Sequence, residues 1–341
     1  MLGVHASNRN PQNLRGLGDM LRECHEQSGR EVAGITTLDL RLVGELQHVA
    51  YWGFRTQKAF FPGSDGDNPP PDAVYANPKI VARQWIDACV PIWQKNINPS
   101  PSFFIMANEQ DPPDVEHAIL YDQYTLEAMQ YYDQTKRAYC GGVPLGIYAF
   151  SAGCPTQGPT GHDWPIADMW QALLPSTRYA FLHGHWICLH NHGGRFGTLE
   201  ASGELQALRH RAAIRFWEAQ GLDLNQCRID LSETSNSAGG VEPNLTTYLN
   251  SVHWLLDQLI AERTPTWPGV RFFSLYQFGG AGERLQAAIP GLIRLHVEHP
   301  LPPIEPPEQG PHYVIENYPP DNDLRDWCSD RGVEYRAQFE G

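Results

Sequence analysis

Short apolar runs alternate along the chain with longer stretches in which apolar residues recur every three or four positions, and the alternation repeats eight times. A short run rich in β-branched and aromatic residues reads as a buried strand, and a 3.6-residue period reads as the core face of a helix. The first unit pairs a strand at Leu2–Ala6 with a helix whose face is Leu14, Leu17, Met20, Leu21 and Cys24. A second strand, Val32–Leu38, leads into a helix through Leu40–Val49, and a third, Trp52–Thr56, into the Gly/Pro/Asp-rich loop Pro62–Pro71 and a helix over Ile80–Trp93. The fourth strand, Ser102–Ala107, precedes a long helix marked by Ile119, Leu120, Leu126 and Met129. The fifth, Leu145–Phe150, is followed by a helix at Ile166–Leu174, and the sixth, placed at Tyr179–His183, by one at Leu205–Trp217. The seventh, Cys227–Leu231, leads to the face Leu245, Leu249, Val252, Leu256, Leu259 and Ile260, and the eighth, Val270–Tyr276, to a helix around Leu285–Val297.

Eight strand–helix units at roughly 35 residues each are the count and spacing of a closed (β/α)₈ barrel of parallel strands, the TIM barrel of the α/β class. An open doubly wound sheet is the alternative, but no G-x-G-x-x-G opens a helix. The barrel is expected over residues 1–299. Beyond it Pro300, Pro302, Pro303, Pro306, Pro307 and Pro311 exclude helix and central strand. Residues 300–341 therefore read as a Pro-rich extension packing back on the barrel through Trp327 and Tyr335.

The formal net charge of −14 disfavours nucleic acid and anionic membrane surfaces as partners, since both need clustered cations. A neutral or polar substrate suits it better. Seven cysteines without C-x-x-C spacing imply neither a disulfide framework nor a zinc ribbon. No apolar run is long enough for a membrane span, and Met1–His5 reads as a core strand, not a signal peptide. Cytoplasmic and mature secreted forms both fit, and oligomeric state is not readable.

In a TIM barrel the reactive residues follow the strands, on the face built by the βα loops. The residues after each run are then His5, Arg55, Asn108 and Glu109, Phe150 and Ser151, His183, His185 and Trp186, Glu233 and Thr234, and Gln277 and Phe278, with Tyr276 closing the eighth strand. Two glutamates thus project from strands four and seven, on opposite sides of the mouth. Such a pair suits glycosidic cleavage: one carboxyl donates a proton to the leaving oxygen, while the other, ionised, attacks the anomeric carbon or activates water. The expected partner is a carbohydrate and no cofactor is called for.

Asn108-Glu109 closing strand four, with Glu233 closing strand seven, resembles clan A of the retaining glycoside hydrolases. The resemblance implies Glu109 as acid/base, with a raised pKa, Asn108 as the contact to the sugar's 2-hydroxyl, and Glu233 as nucleophile. Arg55 resembles the clan's arginine that orients the nucleophile, and His183 or His185 its histidine near strand six. Gln110 stands where proline is common, and Tyr276-Gln277-Phe278 where a platform tryptophan is usual, a role open to Trp186 or Phe278. The alternatives are a carbohydrate-binding or scaffold barrel without catalysis and, through the histidines of His183–His192, a metal-dependent hydrolase. The histidine-rich segment is read as sugar-binding, with no metal site. Ser151 lacks the G-x-S-x-G elbow of a nucleophilic serine.

Overall fold

The computed structural model of the protein describes residues 2–6, 16–39, 42–43, 46–57, 59–95, 101–155, 166–193, 196–236, 244–264, 267–278 and 283–299. Eight parallel strands close into a barrel in chain order, β8 pairing back on β1. They are β1 Leu2–Ala6, β2 Val32–Thr37, β3 Val49–Arg55, β4 Phe103–Ile105, β5 Leu145–Phe150, β6 Trp186–His192, β7 Ile229–Ser235 and β8 Phe272–Phe278. The helices are α1 Leu17–Ser28, α2 Pro71–Ala76, α3 Pro78–Gln94, α4 Val115–Thr135, α5 Ile166–Ala172, α6 Leu174–His183, α7 Leu199–Ser202, α8 His210–Ala219, α9 Leu245–Ala261 and α10 Glu283–Glu298. No helix among the described residues is long and apolar enough to cross a membrane. The Pro-rich extension and its packing lie outside the described residues.

Three expectations change. Tyr179–His183 is the end of α6, and the sixth strand is the next apolar run, Trp186–His192. Leu182, 73% exposed, shows why: the run has a solvent face, which an inner strand does not. The helix expected over Leu40–Val49 falls partly outside the described residues, and Val49 opens β3. The loop expected at Pro62–Pro71 gives way to α2 at Pro71, a residue that suits a helix's first turn because its missing N–H would go unbonded there anyway.

Alternation along the strands sorts the core into two layers. Leu2, Val4, Ala6 and Ile35 face outward into the apolar layer beneath the helices. Tyr51, Phe103, Trp186 and Phe272 face inward and plug the barrel near the start of its strands. Phe103 and Trp186 stack there at 4.3 Å. Full burial of each such ring contributes on the order of 2–3 kcal/mol. Glycines make the room: a Cβ on Gly34 would lie 2.4 Å from the Phe272 ring and one on Gly53 2.6 Å from the Phe103 ring. Above the plug the interior turns polar, with the Thr36 hydroxyl 2.8 Å from Ser274 Oγ and 3.3 Å from Asp230 Oδ2. Burial pushes the Asp230 carboxyl well above the usual carboxylate range.

The outer shell carries one polar cluster of its own. The Asp122 carboxylate on α4 accepts the Ser176 backbone N–H at 2.9 Å, and Ser176 Oγ lies 2.7 Å from the Tyr148 hydroxyl of β5. All six cysteines among the described residues are free and buried.

Two predictions follow from this packing. Gly34→Ala should cost roughly 1–3 kcal/mol by overpacking, read as a lower urea midpoint, and Phe272→Leu in the same chain should restore part of it. Independent, additive losses would mean the ring does not set the constraint. Burial pushes Asp122 up to about 6, so the folded state binds this proton more tightly than the unfolded chain. Its contribution is complete below about pH 4 and is lost as pH rises through about 6. Asp122→Asn should therefore match wild type at pH 4 and exceed it by about 1–3 kcal/mol at pH 7.5. An equal difference at both pH values would rule this cause out.

Candidate active site

Glu233 reaches the interior because β7 carries an extra residue. Leu231, which packs outward, pairs with Leu189, but the next pair is Glu233 with His190, one step along β6 and two along β7. A bulge of this kind re-aims a side chain. Regular alternation would send Glu233 outward with Leu231; the bulge turns it in.

There Glu233 is 5% exposed and ringed by cations and imidazoles. The Arg55 guanidinium, at the end of β3, donates to Oε1 and also contacts Asp67 Oδ2 at 3.3 Å. His5 Nε2 stands 3.9 Å from Oε1, while His190 Nδ1 and His192 Nε2 stand 3.7 and 3.6 Å from Oε2. Burial favours the neutral acid, but His190, His192, His5 and Arg55 together outweigh it and hold Glu233 far below the usual carboxylate range. Its charge is thus kept. His5 itself is fully buried, and burial pushes it down to about 4, so it is neutral at physiological pH.

Glu109 follows β4 in the left-handed region, at φ 49°. Such a conformation costs a non-glycine residue about 1–3 kcal/mol and persists only where its surroundings impose it. The Glu109 N–H donates to Ala149 O at 2.9 Å, and Asn68 brackets the preceding residue, accepting from Asn108 N at 2.6 Å and donating to Asn108 O at 2.7 Å. The Glu109 side chain, 44% exposed, brings Oε1 to 3.0 Å from His190 Nδ1. That contact, more than the opposing effects of burial and Glu233, holds its carboxyl below the ordinary value. The raised value expected for Glu109 is therefore not its resting state. One oxygen of Glu109, one of Glu233 and one nitrogen each of His190 and His192 all lie within 4.8 Å of one another.

Of the other expected site residues, His5, Arg55 and Tyr276 belong to this cluster; the Tyr276 ring is 5.2 Å from His5 and 5.6 Å from His192. Asn108 is adjacent and its Oδ1 is buried without a hydrogen-bond partner. Gln277 and Phe278 lie in β8, but their side chains are outside the described residues. His183, His185 and Trp186 are corrected, because the two histidines precede β6 and Trp186 opens it, at the opposite end of the barrel. His183 ends α6. His185 Nδ1 accepts from Leu145 N at 2.9 Å and its Nε2 meets Asp133 at 3.1 Å, tying the start of β5 to α4. Trp186 belongs to the aromatic plug. Their place is taken by His190 and His192, two apart on β6. The available signal was Gly184, a left-handed helix cap at φ 69° between the two apolar runs, which ends a helix and frees the second run to be the strand.

Arg209 also escaped the sequence reading. Fully buried, it donates to the carbonyls of Phe150, Ser151 and Cys154. Ser151 in turn is bonded through its N–H and hydroxyl to Asp111, two residues beyond Glu109. Together they fasten the loop after β5 to the loop that carries Glu109, and they leave the Ser151 hydroxyl engaged. Nothing in the sequence pattern singles out Arg209, because its three acceptors are backbone groups.

No protein-family model and no curated protein matches the sequence. Among solved structures the chain is similar to the Ruminococcus gnavus beta-glucuronidase, at 11% identity and a TM-score of 0.40 over 82% of this chain and 44% of that one. It is similar to a bacterial orthologue of human α-L-iduronidase, at 11% identity and a TM-score of 0.43 over 83% and 50%. The YdhT protein of Bacillus subtilis matches at 10% identity and a TM-score of 0.42, over 83% and 82%. The chain spans about half the length of the first two. The first two are glycoside hydrolases by name, and the likeness to this chain is one of barrel fold.

Proposed function

We propose that the barrel is a retaining O-glycoside hydrolase, with Glu233 as nucleophile and Glu109 as acid/base. The observation that carries the reading is the approach of the two carboxylates, from β4 and β7, to within 4.8 Å across the mouth. Retaining enzymes hold their carboxyl groups about 5–5.5 Å apart, whereas inverting enzymes leave about 6.5–9.5 Å for a water. The unequal environments support the assignment of roles. Glu233 is buried and kept ionised, as an attacking group requires; Glu109 is exposed, where a leaving oxygen and then a water can reach it.

In the first step a Glu233 oxygen bonds to the anomeric carbon as the bond to the leaving oxygen breaks, and Glu109 gives that oxygen its proton. In the second, Glu109 takes a proton from water, whose oxygen displaces Glu233 from the anomeric carbon. Glu109 must therefore be protonated when the sugar arrives. A sugar seated in the mouth excludes water and replaces the contact to His190, leaving burial and the charge of Glu233 to raise the carboxyl. Arg55 holds Glu233 in line, and Asn108 is placed to meet the 2-hydroxyl. The substrate is a carbohydrate, and the chain's own residues supply the acid, base and nucleophile.

Glu109→Ala should lower kcat/KM about 10²–10⁴-fold on a poorly activated glycoside and much less on an aryl glycoside with a good leaving group, with added azide giving a glycosyl azide of retained configuration. Glu233→Ala should abolish turnover of both, and azide should restore it as the inverted glycosyl azide. Wild-type protein inert across a broad panel of aryl glycosides, yet retained on glycan columns, would instead establish a binding barrel.

A further inference from the structure

The geometry points to a second ligand for the same mouth: we propose that Glu109, His190, His192 and Glu233 bind one divalent transition-metal ion of the Zn²⁺ class, which blocks substrate. The binding claim stands on coordination geometry alone, and the inhibition claim rests on the glycosidase reading above.

A tetrahedral zinc ion with bonds of about 2.0–2.2 Å spaces its ligand atoms about 3.3–3.6 Å apart. Three edges of the cluster are already close to that: 3.0 Å from His190 Nδ1 to Glu109 Oε1, 3.7 Å from His190 Nδ1 to Glu233 Oε2, and 3.6 Å from His192 Nε2 to the same oxygen. All four donors lie within 4.8 Å. These three edges need shifts of a few tenths of an ångström, and the remaining three close to the same spacing from at most 4.8 Å.

The donor set selects the ion. Two imidazoles with two carboxylates suit Zn²⁺, Cu²⁺ or Ni²⁺, while Ca²⁺ and Mg²⁺ take all-oxygen shells. His190 and His192 project to the same side of β6 because side chains repeat every second residue. The outer contacts suit a ligand role as well. Ser235 Oγ lies 2.7 Å from His192 Nδ1, which fixes the ring with Nε2 toward the cluster. Arg55 occupies Glu233 Oε1 and leaves Oε2 for the ion. Behind Glu233 stands His5, fully buried and with both ring nitrogens unbonded, a further nitrogen donor at the wall of the site. Entry is open because Glu109 is exposed while the other three are buried. An ion held there occupies the space between the two carboxylates, where the anomeric carbon must sit.

The test is titration of the full, metal-stripped chain with ZnCl₂ by calorimetry, and with CoCl₂ by visible absorption. One equivalent should bind, with the intense d–d bands of tetrahedral Co²⁺, and MgCl₂ should give no heat. His192→Ala and His190→Asn, made separately, should each weaken Zn²⁺ at least tenfold. His253→Ala should leave it unchanged, which separates the site from the trio of exposed His253 and Asp257 with the half-buried His299. Absence of binding to wild type, or binding indifferent to both β6 variants, overturns the proposal. On any aryl glycoside the protein turns over, Zn²⁺ should inhibit competitively and EDTA should reverse it; activity that instead requires the metal overturns the inhibitory role. Zinc binding by a chain that hydrolyses no glycoside would leave the site standing and remove the glycosidase reading.

Discussion

The site depends on keeping a full negative charge inside a barrel. An isolated carboxylate there would simply take up a proton, because desolvation costs several kcal/mol. Glu233 avoids this by standing where β1, β3 and β6 each contribute a basic group, so its ionisation is a property of barrel closure and not of one partner. No single strand could assemble that environment. Arg55 carries a fixed charge, His5 is held neutral by burial, and both meet the same oxygen from different sides. The ring of groups thus sets the charge and the direction of the carboxylate together.

The layers beneath make that ring possible. Aromatic rings fill the lower barrel and glycines on β2 and β3 admit them, so the interior is solid where no chemistry is needed. Thr36, Ser274 and Asp230, whose carboxyl burial pushes well up, form a hydrogen-bonded transitional layer. Only above it do charged groups meet. Outside the mouth, Arg209 and Asp111 clamp the loops after β5 and β4, giving the strained Glu109 backbone the support its conformation demands. Preorganisation of this kind lets a positioned side chain act without first paying to order its loop.

How much of this was legible in the sequence follows from what each feature leaves in the residue pattern. The barrel was legible because each unit repeats a strand run and a helical period, and Glu109, Glu233, Arg55 and His5 were found by reading the ends of those runs. The sixth strand was misplaced because Tyr179–Leu182 and Ile187–Leu189 are both apolar, and the exposure of Leu182 and the helix cap at Gly184 are what separate a helix end from a strand. That slip put His183, His185 and Trp186 at the mouth in place of His190 and His192. The resting protonation of Glu109 was not legible at all, since it depends on His190 coming within hydrogen-bond reach from a strand 81 residues away.

The bulge in β7 couples the length of that strand to the aim of its carboxylate. The inward aim of Glu233 is set by the backbone geometry of the bulge after Leu231, not by the identity of the Glu233 side chain. Straightening β7 without removing a residue would carry Glu233 to the face of Leu231, toward the helices, whereas losing Ser232 together with the bulge would leave it facing in. Residue count and bulge must therefore change together if the carboxylate is to keep its place. A strand that kept every residue type and lost only the bulge would empty the cluster of its buried carboxylate.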